Sequence, residues 1–592
     1  MAVSPTSSQP FDVFCPLKSC EFKMNFKYIL ALAVVLSVIL TRPTLSQTPG
    51  KADLVVKNAN IYSMDAVRSW KQALAVKNGR LVYVGDNSNV RAWIGSKTKV
   101  VDARGKLILP GFHDTHVHLA LAASRQQWCD LGYPKTLTAT REAISDCVKK
   151  SVGKPWILLT NPNTAVFPPD GPELKFWDDL VSDRPLVVNA LHTSFANSAA
   201  LKIAGITAAT SNPSNGIILR DASGNLTGTL RGTAQDLLYK FVPSLSKEEV
   251  AENFRKIMDE LPGYGIVSVQ ELSARSRAEL YAEALAKGWL KVRVRHGQML
   301  PGGTDFPSIK SGKEEFLRNA RRFRGRWLNA GTVKIFVDGD LGDKTAALFE
   351  PYLGEKQTRS RGEPNWTQEE LNEWAAQLDA AGIQLHFHAM GDRSVHMALN
   401  AVEHAQRVNG RRDSRHQITH LHLIASADLP RFRKLGVIAN VQPYFAENIE
   451  YNTVRALELL GPERHRLMFR FRDLLESGAV LVASTDGPVA SPLNPFVSIQ
   501  SALTRKEAGS TAPAFFPEQR LTLPEVLAAY TIGGAYANFL DKESGSLEAG
   551  KLADFILVDQ NLFEIDKEEI HRTHVLWSVV EGREVFRSEK WK

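Results

Sequence analysis

Two histidines one residue apart can grip a single cation when their segment is a strand, because residues i and i+2 face the same side. The chain holds three such tripeptides, His116/His118, His386/His388 and His420/His422. With 15 histidines in 592 residues, chance alone would give roughly 0.4 of them. Each closes a run that reads as a β-strand. Lys334 adds a second signal, lying inside the otherwise apolar segment 332–337. A buried ammonium is costly, so such a lysine is neutral, paired or modified. Asp486 stands where the apolar run 480–484 gives way to a loop. Alone it reads as a helix cap or turn aspartate; only the ensemble raises it to a candidate member of a metal site. Spacing does not choose between His386 and His388, or between His420 and His422.

The elements that must carry these residues alternate. Strand-like runs at 266–269, 292–295, 332–337, 384–388, 417–420, 437–441 and 480–484 are separated by helical stretches such as 368–381 and 393–408. Alternation over this length predicts a parallel α/β fold, a (β/α)₈ TIM barrel over 111–540, whose active site gathers at the C-terminal ends of the strands. An insert of about 150–235 follows the first barrel strand and reads as a lid or side lobe. Both ends of the chain are β-rich. Segments 53–63 and 100–109 read as strands, and Asn78-Gly79 as a hairpin turn. Residues 51–110 and 541–592 are expected to form one small β-sandwich together, since neither end has enough strands to bury two faces.

These pieces, in order, resemble the amidohydrolase superfamily, specifically its YtcJ-like branch (amidohydrolase family 3). The resemblance runs from residue 53 to 584. It rests on Pro110-Gly111-Phe112-His113-Asp114-Thr115-His116-Val117-His118, Val333-Lys334 through Asp338-Gly339, and His388-Ala389-Met390-Gly391-Asp392-Arg393. It continues through Ile418-Thr419-His420, Val441-Gln442-Pro443, Thr485-Asp486-Gly487-Pro488 and the stretch from Gly545 to Asp554. With the N-terminal segment described below, the chain looks like the plant "long after far-red" group of that branch.

The resemblance implies that His116 and His118 bind a first divalent ion and His388 and His420 a second. Lys334, N-carboxylated, would bridge them. Zinc is the expected metal, one or two ions per chain, and Asp486 is the implied catalytic carboxylate. His192 and Asp338 are implied as substrate-binding residues. The implied reaction is metal-dependent hydrolysis of a non-peptide C–N bond, an amide or N-acyl bond, in a small molecule. Two alternatives stay open: a signalling or binding protein of little turnover on the same barrel, and a lactonase or phosphotriesterase. The chain departs from the branch at Thr419, where relatives read Glu, and at Asp340-Leu341-Gly342-Asp343-Lys344-Thr345, where they often read Ala-Leu-Gly-Ser-Arg-Thr.

Residues 1–46 stand apart. The uncharged run 28–40, flanked by Lys23, Lys27 and Arg42, is short for a membrane span and suits a signal peptide or signal anchor. The secretory pathway is therefore the expected compartment, with membrane contact only if the segment is an uncleaved anchor. Asn225-Leu226-Thr227 and Asn365-Trp366-Thr367 are glycosylation sequons. Cys129 and Cys147, the cysteines beyond that segment, are either one disulfide or two free thiols. The net charge of +8 is scattered rather than clustered, so no nucleic-acid partner is expected. Homo-oligomerisation is left open.

Overall fold

The computed structural model describes residues 50–591, apart from 169–170, 191–192, 214–215, 274–277, 301–308, 354–359 and 489–490. Both the segment read as a signal and His192 lie outside the described residues. Among the described residues, no helix is long and apolar enough to cross a membrane.

Eight parallel strands form the central sheet in sequence order. They are β1 (Phe112–Val117), β2 (Ile266–Glu271), β3 (Arg293–Leu300), β4 (Leu328–Phe336), β5 (Gln384–Ala389), β6 (Gln417–His420), β7 (Ile438–Val441) and β8 (Val480–Ala483). The sheet curls until its edges meet. The backbone N–H of Asp486 donates to His116 O (2.9 Å) and that of His118 to Gly487 O (2.8 Å), so the chain ends of β8 and β1 meet at the site. This is a TIM barrel.

Each barrel strand is buried on both faces, as parallel strands are. On β4 and one residue past it, Val333, Ile335 and Val337 face the main apolar core, packing towards helices Gln368–Ala380 and Asp392–Asn409. The alternate residues Thr332 and Lys334 face the barrel interior. That interior departs from the usual stack of branched apolar side chains. Gln270 Nε2 donates to Gln384 Oε1 (3.0 Å), Gln417 Nε2 to Gln270 Oε1 (2.9 Å) and Asn440 Nδ2 to Gln417 Oε1 (2.9 Å). Buried amides are costly unless paired. Here each finds a partner on another strand, Gln270 reaching across the barrel to β5 and β6, which ties the strands together from inside.

The terminal segments interleave in two sheets. One is four-stranded and made of N-terminal strands: Arg80–Gly85, Ala73–Lys77, Leu54–Lys57 and Lys99–Asp102. The other is six-stranded and mixes both ends: Arg583–Arg587, Val575–Val580, Phe555–Val558, Leu107–Pro110, Asn60–Tyr62 and Trp70–Lys71. Two expected long strands are each broken in two. Asn58 (φ 54°) separates Leu54–Lys57 from Asn60–Tyr62, and the left-handed pair Arg104 (51°) and Gly105 (74°) separates Lys99–Asp102 from Leu107–Pro110. A left-handed residue swings the chain out of one sheet and into the other. The Asn78-Gly79 turn has φ of 50° and 75°, the two positive values that a two-residue hairpin requires.

A buried ion pair couples this domain to the barrel. Arg293, at the start of β3, donates to both carboxylate oxygens of Asp554 (2.9 and 3.0 Å), each side chain about 2% exposed. Removing one partner of such a pair strands the other. Arg293→Met is therefore expected to cost about 3 kcal/mol, the low end because Ser544 and the Glu581 N–H still donate to Asp554. Denaturant titration measures this.

The insert forms a third sheet, ordered Gly216–Arg220, Leu226–Gly232, Thr193–Ala196, Leu186–Ala190, Ile157–Thr160 and Cys129–Asp130. It begins earlier than residue 150. The two-residue edge strand at Cys129 is too short to leave a sequence signature, and Cys129 is disulfide-bonded to Cys147 on helix Leu137–Lys150.

Candidate metal centre

The strand ends turn their polar residues over the barrel mouth. At the end of β6 and in the loop after β8, His420 (φ 77°) and Asp486 (φ 64°) adopt left-handed backbone. A non-glycine residue pays roughly 1–3 kcal/mol for this. Hydrogen bonds hold both in place: Asp486 N to His116 O, and Leu421 N to Ala389 O at 3.1 Å.

At the mouth, His116, His118 and Asp486 bring one ligand atom each to within 4.8 Å of one another. His118 Nε2 lies 2.9 Å and His116 Nε2 3.4 Å from Asp486 Oδ1. Lys334 Nζ approaches His116 Nε2 at 3.2 Å. The rings of His388 and His420 meet at 4.4 Å, and His420 Nδ1 stands 4.0 Å from Asp486 Oδ2. Six residues spread from 116 to 486 thus share one site. His386 lies one step below the mouth, its Nε2 3.1 Å from His116 Nδ1. His422 turns away, its ring against Phe469 at 4.6 Å.

Electrostatics place these groups in a ligand-ready form. Burial first, then the nearby Lys334 charge, pushes the imidazolium pKa of His116 and His386 well down; for His420, His388 precedes Lys334. All three are neutral at neutral pH, the state in which imidazole binds metal. Burial pushes the Lys334 ammonium down to about 7, against the pull of Asp486. A large share of Lys334 is therefore an unprotonated amine at neutral pH.

Several supporting residues escaped sequence reasoning. Gln442 Oε1 faces His420 Nδ1 at 3.0 Å, while its Nε2 donates to Thr419 Oγ1 (2.9 Å) and Ser484 Oγ (2.8 Å). That orientation makes His420 Nδ1 the donor and leaves Nε2 as the lone-pair nitrogen. Thr419 Oγ1 in turn lies 3.2 Å from His116 Nδ1, so the residue that replaces glutamate here serves a histidine. Asp114 accepts from Thr485 N (3.1 Å) and Thr485 Oγ1 (2.6 Å), tying the Asp486 loop to β1. The Gln-Pro dipeptide after β7 is the one sequence feature that could have pointed to Gln442. Gln442→Leu is expected to weaken metal binding about 10–100-fold, read by chelator competition.

Asp338 accepts from the backbone N–H groups of Ala347 (3.0 Å), Met390 (3.0 Å) and Gly391 (2.9 Å) and from Ser394 Oγ (2.6 Å). Its oxygens are taken by protein donors, so it reads as a clamp on the β4 and β5 loops rather than a substrate ligand. Burial pushes its carboxyl up to about 6. The loop after β4 also meets the insert, where Thr193 Oγ1 donates to Asp343 Oδ1 at 2.8 Å.

The model of the amidohydrolase family Amidohydro_3 matches residues 99–586. The chain belongs to the amidohydrolase family. Among the relatives of this family member is Protein LONG AFTER FAR-RED 3 of Arabidopsis thaliana, 29% identical over 549 residues, covering 90% of this chain and 92% of the relative. YtcJ of Bacillus subtilis is 27% identical, covering 89% and 98%. The N-substituted formamide deformylase of Arthrobacter pascens is 29% identical, covering 91% and 98%. Together these place the chain in the YtcJ-like branch. Among solved structures, an uncharacterized metal-dependent hydrolase from Pyrococcus furiosus superposes with a TM-score of 0.64 at 26% identity, covering 86% and 99% of the two chains. An adenosine deaminase from Xanthomonas campestris with bound zinc shares the fold, with a TM-score of 0.52 at 15% identity, covering 92% and 95%. The chain is a hydrolase of this family, and its His-His-Asp site suits a divalent metal.

Proposed function

We propose that this hydrolase cleaves a non-peptide C–N bond, an amide or N-acyl bond, of a small molecule. The observation that carries the reading is the meeting of His116, His118, Lys334, His388, His420 and Asp486 at one barrel mouth. The full-length similarity to an N-substituted formamide deformylase favours C–N bonds over esters and phosphotriesters.

The donor set suits zinc. Imidazole nitrogens and carboxylate oxygens are its usual ligands, and the Nε2 atoms of His116 and His118 converge on Asp486 Oδ1 at 3.4 and 2.9 Å. His116 and His118 would hold one ion, His388 and His420 another, with Lys334 between them. The neutral amine of Lys334 would add CO₂ and release a proton, giving a carbamate whose negative charge would suit a divalent ion. Bound metal supplies Lewis acidity that polarises the scissile carbonyl and acidifies water. Asp486 accepts the proton of the attacking water and passes it to the departing nitrogen. Thr419 and Gln442 hold His116 and His420 in register.

Turnover on N-substituted formamides, N-acyl amines, lactones and phosphotriesters tests the reading. Release of amine and carboxylate from the first two classes is expected. Hydrolysis confined to lactones or phosphotriesters contradicts it, and no turnover with a fully loaded site favours a binding or signalling role.

We also propose entry into the secretory pathway, supported by the Cys129–Cys147 disulfide and by an exposed sequon. Asn225 is exposed and, among the described residues, its Nδ2 donates only to the surface carboxylate of Asp221 (3.1 Å), whereas Asn365 is half-buried, its Nδ2 donating to Phe336 O (3.3 Å), and Thr367 caps the following helix. A glycan is therefore expected on Asn225 and not Asn365. Endoglycosidase should shift the wild-type band and leave Asn225→Gln unshifted.

A further inference from the structure

The opposite end of the barrel holds a cavity of about 210 Å³, far above the about 10–15 Å³ that admits one water. It lies at the start of the strands, lined by Ser268, Arg295 and Asn329 from β2, β3 and β4 and by Arg324, Asn538 and Phe539 around them. Thr332, which contacts Arg295, precedes Lys334 by two residues on the same face of β4, so the metal ligands lie beyond a polar layer.

The charges around this cavity do not balance. Arg293 is matched by Asp554 and Glu581, and Arg326 by Glu543 and Glu581. Glu543, the acid in the cavity wall, is also engaged by Arg80 at 2.8 Å. Arg415, nearby, is matched by Asp413 and Asp541. Arg295 has only neutral acceptors among the described residues: Thr332 Oγ1 (2.7 Å), Gln384 Oε1 (2.9 Å), Asn329 Oδ1 (3.3 Å) and Gly331 O (3.1 Å). Its guanidinium lies over the Phe539 ring at 4.7 Å, a ring that Arg415 approaches at 4.6 Å. Burial, then the Arg415 charge, pushes Arg295 down to about 9, the mark of a cation without a counter-ion. Arg324 is exposed and makes no ion pair among the described residues. Asn538 is an independent sign. It is 5% exposed, its Nδ2 donates to Ser268 Oγ, and its Oδ1 has no donor among the described residues.

We propose that this cavity is a second ligand site, for a small oxyanion bearing a hydroxyl, of which hydrogenphosphate is the simplest. Arg295 and Arg324 would donate to the anionic oxygens, and the hydroxyl would donate to Asn538 Oδ1. The guanidinium fork suits such oxygens, and the cavity's polar wall replaces their hydration. The proposal rests on the base of the barrel and is independent of which bond is cut at its mouth.

The test is calorimetric titration of the metal-loaded protein with inorganic phosphate at constant ionic strength, with glycerol phosphate, a monoester whose alcohol can donate to Asn538, as a parallel arm. One saturable site per chain is expected for at least one of the two, and the tighter arm shows whether free or esterified phosphate is the source. Arg324→Ala, an exposed change that should not disturb folding, should weaken binding at least about tenfold, the worth of one charge-assisted hydrogen bond. Arg295→Gln should abolish it. Turnover without phosphate should be unchanged in Arg324→Ala. Absence of saturable binding of both anions to the wild type overturns the proposal. So does binding that Arg324→Ala leaves intact, since the anion would then sit elsewhere, for instance at the metal centre.

Discussion

Asp486→Asn is expected to lower kcat by about 10²–10⁴-fold, the range for losing a positioned proton carrier, while the protein keeps most of its metal. The two effects separate because Asp486 is one of several groups at the mouth. His118 Nε2 and His116 Nε2 both face its Oδ1, and Lys334, His388 and His420 supply further contacts with the centre. An asparagine of the same shape keeps the backbone bond to His116 O but cannot take a proton from water. Steady-state kinetics beside metal analysis of the same preparation reads both quantities. Full activity would remove Asp486 from the chemistry. Complete metal loss would recast it as a principal ligand.

Lys334 should behave in the opposite way. Lys334→Ala and Lys334→Met are expected to lose metal by more than the about 10–100-fold typical of an outer-shell change, and activity with it. The alanine variant leaves room beside His116, so a short carboxylic acid with excess metal should restore part of the turnover. Methionine fills that room and should block rescue. Metal-free Lys334→Met should nonetheless unfold no earlier than metal-free wild type, because an apolar side chain replaces an ammonium that burial already pushes down to about 7. Gain or parity in stability with loss of metal is a pattern that a purely structural lysine would not produce.

What could be read from the sequence follows from what is local. The His-x-His pairs, the lysine in an apolar strand and helices Gln368–Ala380 and Asp392–Asn409 leave signals within a few residues, and the barrel follows from their alternation. Strand β3 runs to Leu300, well past the expected 295, because His296 and Gln298 interrupt the apolar run. The polar barrel interior has the same effect throughout: inward-facing Gln270, Gln417 and Asn440 look like surface residues to a hydrophobicity pattern. The breaks at Asn58 and Arg104 depend on backbone angles that many residue types could avoid. Pairings such as Arg293–Asp554 and Thr485–Asp114 join residues hundreds of positions apart, and nothing near either partner announces them. Register, not composition, also separates the ligand candidates. Backbone geometry puts His388 against His420 and His386 beneath His116, a distinction of one pleat.

The central claim is that Lys334 and the four histidines form one metal-binding centre. Native mass spectrometry of the protein, purified in bicarbonate buffer and compared with Lys334→Ala, tests it most directly. The expected result is a wild-type chain carrying two divalent ions and one added CO₂, and a variant that has lost the CO₂ together with at least one ion. A wild-type chain free of metal, or a variant that keeps the full complement, would contradict it.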